Sequence, residues 1–193
     1  MGNNQEKTDI KLTKNDKKVL HYLIEHARIS DSATAKKIGV TPQAILKIRN
    51  KLENAGIIEG YSPRVNYKKL GVNVMAWAIV KFLPSTWSEY SEAEIREKII
   101  KHKYIIRGCR IPESEATHIL LYGFKNMKQM DEHFLRVQTK LAKIIEIKRI
   151  YSFSVEQIIK DSPEGLFHII LDEKEFLTST LFEGSSLLKK KKS

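Results

Sequence analysis

The chain has 193 residues, 34 Lys and Arg against 23 Asp and Glu, and a formal net charge of +11. That length holds one domain or two small ones, each with its own core, and 41% hydrophobic with 30% charged residues describe a globular protein. No apolar run is long enough for a membrane span, residues 1–12 lack the apolar stretch of a secretory signal, and the single Cys109 excludes an intramolecular disulfide or a zinc finger on paired cysteines. The expected location is cytoplasmic.

The charge is unevenly spread. Residues 1–71 carry 14 Lys and Arg against 7 Asp and Glu, residues 72–160 carry 15 against 10, and residues 161–193 carry 5 against 6. A basic first third favours a polyanion partner, through phosphate contacts and counterion release. Residues 1–12 read as a flexible N-terminus. Thr13, with Asp16 three positions on, caps a first helix over 14–27, whose apolar stripe is Val19, Leu20, Leu23, Ile24 and Ala27. Ser30 or Asp31 caps a second, shorter helix through Ala33, Ala35 and Ile38, ending at Gly39.

Thr41 then caps a third helix, with Pro42 at its first position and Gly56 just past its end. Ile45, Ile48 and Leu52 form its buried stripe, so Gln43, Lys47, Asn50 and Asn54 point the other way. Gln and Asn can pair with adenine edges, and Lys reaches guanine or phosphate. Two helices joined by a short glycine turn, with a helix before them, predict a helix-turn-helix unit over 13–60. Residues 61–71, which include Arg64, Lys68 and Lys69, predict a linker or hinge strand.

From Val72 the pattern becomes that of strands. Val72–Leu83 predicts one, ended by Pro84; a helix follows over Trp87–His102. Tyr104–Ile111 and Thr117–Phe124 predict two more strands. A helix from Asn126 carries Met127, Met130, Phe134, Val137 and Leu141 on its apolar face. Ile144–Val155 is the fourth strand. The order βαββαβ predicts a ferredoxin-like antiparallel sheet over 72–160, with two helices on one face. In the extension 161–193, Leu166–Leu171 is expected to form a strand or packed segment docked on this second domain or on a partner. Glu173–Phe182 is expected to be a short helix, and Lys189–Lys192 a disordered tail.

The run Ala27-Arg28-Ile29-Ser30, the turn Ala35-Lys36-Lys37-Ile38-Gly39, Thr41-Pro42, Leu52-Glu53, the junction Gly56-Ile57-Ile58-Glu59-Gly60-Tyr61 and the closing Lys68-Lys69-Leu70-Gly71 together resemble the DNA-binding half of the Lrp/AsnC transcription regulators. The βαββαβ order is similar to that family's C-terminal RAM domain. The likeness covers about residues 13–160. It implies an α+β protein: a winged helix-turn-helix domain, then a RAM-type domain that forms a homodimer or higher even oligomer and is open to modulation by a small-molecule effector. One departure is visible. The family usually has an apolar residue where Arg49 stands and a basic one at Ile48, so either the helix is rotated or Arg49 lies at the groove edge.

On this reading Gln43, Lys47 and Asn50 lie nearest the bases of double-stranded DNA, with Ala44 beside them and Thr41, Lys36, Lys51 and Arg64 near phosphate. Relatives that bind amino acids carry a Gly-x-Tyr-Asp-like turn between the second and third strands. Here that turn is Pro112-Glu113-Ser114-Glu115-Ala116-Thr117, so Glu113, Glu115 and Thr117 are the effector candidates and tight amino-acid binding is not expected.

No phosphate loop, dinucleotide fingerprint, HExxH helix or GxSxG elbow is present, so no catalytic residue, cofactor or metal is expected. The six histidines are scattered and are expected in ordinary surface or core roles. Cys109 is expected buried in its strand, and Met75, Met127 and Met130 in the core. The function indicated is a sequence-specific transcription regulator. A DNA-coating, chromatin-like protein with little specificity is the alternative, and a tetrapyrrole decarboxylase on the same fold a more distant one.

Overall fold

A threonine opens the first element. Thr13 Oγ1 accepts from Asp16 N–H at 3.2 Å while the Asp16 carboxylate accepts from Thr13 N–H at 2.8 Å, a reciprocal box that starts α1 (Lys14–Glu25). The computed structural model describes residues 11–172. The expected helix at 173–182, the lysine run and nearly all of the flexible N-terminus lie outside the described residues. Contacts divide the chain into two units, one of residues 1–63 with 162–193, the other Arg64–Asp161.

In the first unit, Ser30 caps α2 (Asp31–Ile38) and Thr41 caps α3 (Pro42–Asn54). Gly39 has φ 82°, and Gly56, at φ 68°, lets Ile57 N–H return to Leu52 C=O at 3.0 Å, closing α3 with the usual glycine stop. Val19, Leu20, Leu23, Ala35, Ile45 and Leu52 form the core. Residues 57–66 form no strand, so the wing is an extended run, and the expected hinge strand at 61–71 is instead coil followed by a turn at 67–71. The segment after Asp161 corrects a second expectation. Leu166–Leu171 belongs to a helix, α7 (Glu164–Leu171), which packs on α1 and sends Leu171 into the first unit's core. An eight-residue helix this apolar has no stability alone and needs such a surface to form.

The second unit has the ferredoxin-like order. β1 (Val74–Phe82), β2 (Ile105–Arg110), β3 (His118–Phe124) and β4 (Ile145–Ser154) pair antiparallel in the order β2-β3-β1-β4. β1 runs from Val74 opposite Phe124 to Val80 opposite His118, and a bulge interrupts its pairing with β4 at Ile79–Val80. Val74, Ala76, Ala78, Val80 and Phe82 alternate onto the core face. The expected single helix over 87–102 is two, α4 (Pro84–Glu89) and α5 (Glu92–Lys101). Ser91 and Glu94 make their own capping box, so a new helix begins where one was read through.

α6 (Met127–Lys140) starts at its Asn126 cap; Met130 and Phe134 are buried, but Met127 and Leu141, at its ends, are exposed. Met75 is buried. Cys109 is exposed rather than buried, because β2 is an edge strand with one neighbour and little cover.

Candidate nucleic-acid interface

The exposed side of α3 is set by what its other side buries. Ile45 and Leu52 are fully buried and Ile48 packs on the same core, so the helix sits in the expected rotation. Gln43, Lys47 and Asn50 are accordingly exposed on one face, with Asn54 a turn further on. Ala44 is half-buried, and its N–H is held by Thr41 Oγ1 at 3.2 Å. Leu46 stands in the same strip at 48% exposure, one helical step from Gln43 and Lys47. The sequence reading does not include it; its place off the Ile45–Ile48–Leu52 stripe is the available signal.

Arg49 settles its own question. Its Nη2 and Nε reach Asp31 Oδ1 at 2.5 and 3.1 Å, and its Nη1 donates to the Tyr61 hydroxyl at 3.3 Å. Tyr61 donates in turn to Glu53 at 2.8 Å. The helix is thus not rotated, and the Arg49 guanidinium is committed to Asp31 and Tyr61. It ties α3 to the first turn of α2 and to the segment after α3, fixing the angle at which the exposed face is presented.

Lys51 has a similar commitment. Its ammonium meets Asp16 Oδ2 at 2.5 Å, and the Asp16 side chain is 3% exposed. Burial alone pushes the Asp16 carboxyl up, but hydrogen bonds from Lys51 and from the Thr13 N–H and hydroxyl outweigh it and hold the group below its ordinary value. Lys36 is exposed on α2, and Arg64 is exposed as the first residue of the second unit. The structure therefore brings Gln43, Lys47 and Asn50 onto one helix behind its Thr41 cap and keeps Lys36 on its neighbour, while Arg64 belongs to the second unit.

The candidate effector residues are less well placed. Glu113 and Glu115 are exposed in the turn between β2 and β3. Thr117 Oγ1 accepts from Phe82 N–H at 2.9 Å and donates to Val80 C=O at 3.3 Å, which occupies it in joining that turn to β1. Among the described residues no group of three or more His, Cys, Asp or Glu is arranged to hold a metal, and no helix is long and apolar enough to cross a membrane.

The histidines are less scattered than the sequence suggested. His21 on α1 and His168 on α7 face each other through their Nδ1 atoms, with ring planes within 13°. Asp172 accepts from His21 Nε2 at 2.8 Å, and Glu25 lies 3.6 Å from His168 Nε2. Residues 147 positions apart form this cluster, which only the docking of α7 makes visible.

Comparison with known proteins agrees with this architecture. Residues 12–59 match the family profile of winged helix-turn-helix DNA-binding domains. An HTH-type transcriptional regulator of Pyrococcus furiosus is 33% identical over 116 residues, 60% of this chain and 74% of that protein. The regulator LrpA of Pyrococcus horikoshii is 34% identical over 93 residues, 48% of this chain and 66% of LrpA. Among solved structures, a Neisseria meningitidis transcriptional regulator in complex with L-Met superposes with a TM-score of 0.65 at 20% identity, covering 80% of this chain and 96% of that one. Escherichia coli AsnC gives 0.62 at 20%, covering 79% and 97%.

Proposed function

Since this chain belongs to the Lrp/AsnC family of transcription regulators, we propose that it reads specific double-stranded DNA sequences through the major groove with α3. The observation that carries the reading is the exposed strip Gln43, Leu46, Lys47 and Asn50 on a helix whose opposite side is locked into the core. Gln43 and Asn50 offer paired donors and acceptors for adenine edges, Lys47 a donor for guanine, and Leu46 an apolar surface for a thymine methyl. Thr41 and Lys36 lie where phosphates pass, and Arg64 contributes a further phosphate contact. The Lys51 ammonium is held by Asp16, so its share in phosphate binding is small.

Such a unit spans few base pairs, and pairing two half-sites is the usual remedy. The sheet face opposite α5 and α6 carries Trp77, Ile119, Leu121 and Tyr151, the last 50% exposed, which supports a second copy as its cover. With Thr117 occupied, the β2–β3 turn supports no amino-acid effector.

The test is selection of duplexes from a random pool by the full chain, followed by titration of a selected duplex and a scrambled one at fixed salt. Gln43→Ala and Asn50→Ala are expected to weaken binding to the selected duplex by about 1–3 kcal/mol and to leave the scrambled one nearly unchanged. Equal losses on both duplexes, or a pool that yields no preferred sequence, would overturn base readout and leave the DNA-coating reading.

A further inference from the structure

The second unit has a cavity of about 230 Å³ between α5, α6 and the sheet. Phe82, Ile95, Ile99, Leu120, Val137 and Ile144 make most of its wall. The cavity is partly open to solvent, which gives a ligand a way in, and for scale an apolar cavity of about 150 Å³ is known to take up benzene. By that measure this one has room for about nine non-hydrogen atoms.

Besides Tyr90, whose ring lies beside the Lys98 ammonium, three polar side chains join the wall, Tyr122, His102 and Lys98. Tyr122 is 5% exposed, and its hydroxyl makes no hydrogen bond among the described residues yet is not sealed from solvent, so it is free to donate to a ligand. Nothing beside it eases ionisation, and burial pushes the group up to about 12, so it stays a donor. His102 Nδ1 accepts the Tyr104 N–H at 3.3 Å, which leaves the ring proton on Nε2, and burial lowers its pKa. The Lys98 ammonium sits 4.8 Å from the centre of the Tyr90 ring, without an ion pair among the described residues. All three groups can give a hydrogen to a ligand, and the wall holds no carboxylate.

We propose that this cavity binds a small apolar monocarboxylate, with its hydrocarbon part between α5 and α6 and its carboxylate among Tyr122, His102 and Lys98. The same wall selects against an amino acid of equal shape. Its ammonium would enter an apolar site whose wall holds no carboxylate, with only neutral tyrosine oxygens to replace lost water. The inference is independent of how α3 contacts DNA.

The experiment is calorimetric titration of the full chain with 4-methylpentanoate and, separately, with leucine, which is the same skeleton bearing an ammonium. Saturable binding of 4-methylpentanoate is expected, with leucine weaker by at least about tenfold because its ammonium is left unpaired. Tyr122→Phe keeps the ring and removes the free hydroxyl; Lys98→Gln removes the charge at an exposed position. Each is expected to weaken 4-methylpentanoate binding by about three- to tenfold while tryptophan fluorescence remains native. No saturable heat up to about 10 mM, equal binding of leucine, or unchanged affinity in both variants would overturn the proposal.

Discussion

The two units treat their polar side chains in opposite ways. In the first, polar side chains, buried or not, are answered by a charged partner: Asp16 by Lys51, Asp31 by Arg49, Tyr61 by Glu53 and His21 by Asp172. In the second, the buried Thr86 and the half-buried Thr117 are answered by backbone, whereas Tyr122 and His133 lie among aromatic rings and His133 Nε2 is buried without a partner among the described residues. Directional pairs hold helices at fixed angles, which suits a unit that must present one face of α3. A sheet held by its ladder tolerates loose polar groups and a void beneath its helices. The contrast is open to test from both sides.

The largest effect is expected where the first unit has least to spare. Leu52 is fully buried in a core of few side chains, so Leu52→Ala should cost about 2–5 kcal/mol and remove DNA binding with it. Hydrogen exchange across 14–54 would read the loss. Protection close to the parent's would mean that the ion pairs, rather than the core, hold this unit.

What was legible beforehand follows from periodicity and punctuation. α3 stood out through Ile45, Ile48 and Leu52 at helical spacing between Thr41-Pro42 and Gly56, and all four strands through runs of Val, Ile and aromatic residues. The break between α4 and α5 is also written in the chain, as Ser91 and Glu94 three apart, the same punctuation as Thr13 and Asp16. Other features depend on contacts between distant segments. That Arg49 pairs with Asp31, that Lys51 pairs with Asp16 and that Cys109 is exposed all depend on neighbours that no local window contains. The docking of α7 on α1 is of the same kind.

A smaller effect, and a sharper form of the comparison, comes from acid. Burial, with repulsion from His102 and Arg136, lowers His133 to about 4. A histidine depressed in the folded state takes up protons more readily when unfolded, so its stability contribution is complete above about pH 6.5 and falls as pH drops towards 4. Asp16 is also depressed, but its contribution is lost only on passing below the ordinary carboxylate range. The second unit should therefore weaken first, by about 1–2 kcal/mol across that window once partial exposure is allowed for. Both tryptophans, Trp77 and Trp87, lie in the second unit, so their fluorescence during urea unfolding reports it selectively. His133→Phe should flatten the pH dependence; an unaltered slope would place the acid sensitivity elsewhere.

The smallest effect separates positioning from stability. Tyr61→Phe keeps the ring and removes the hydroxyl that accepts from Arg49 and donates to Glu53. Half-exposed hydrogen bonds of this kind contribute about 0.5–1 kcal/mol, so the variant should unfold only slightly more easily. Arg49 keeps Asp31, and α3 stays helical, but one of the two anchors that set its direction is gone. If orientation is what the network supplies, affinity for a selected duplex should fall more than stability does, while affinity for a scrambled duplex stays level, since phosphate contacts tolerate a small rotation better than base contacts. Equal losses on the two duplexes would mean that Tyr61 serves the fold alone, and that the ion pairs of the first unit need no functional reading.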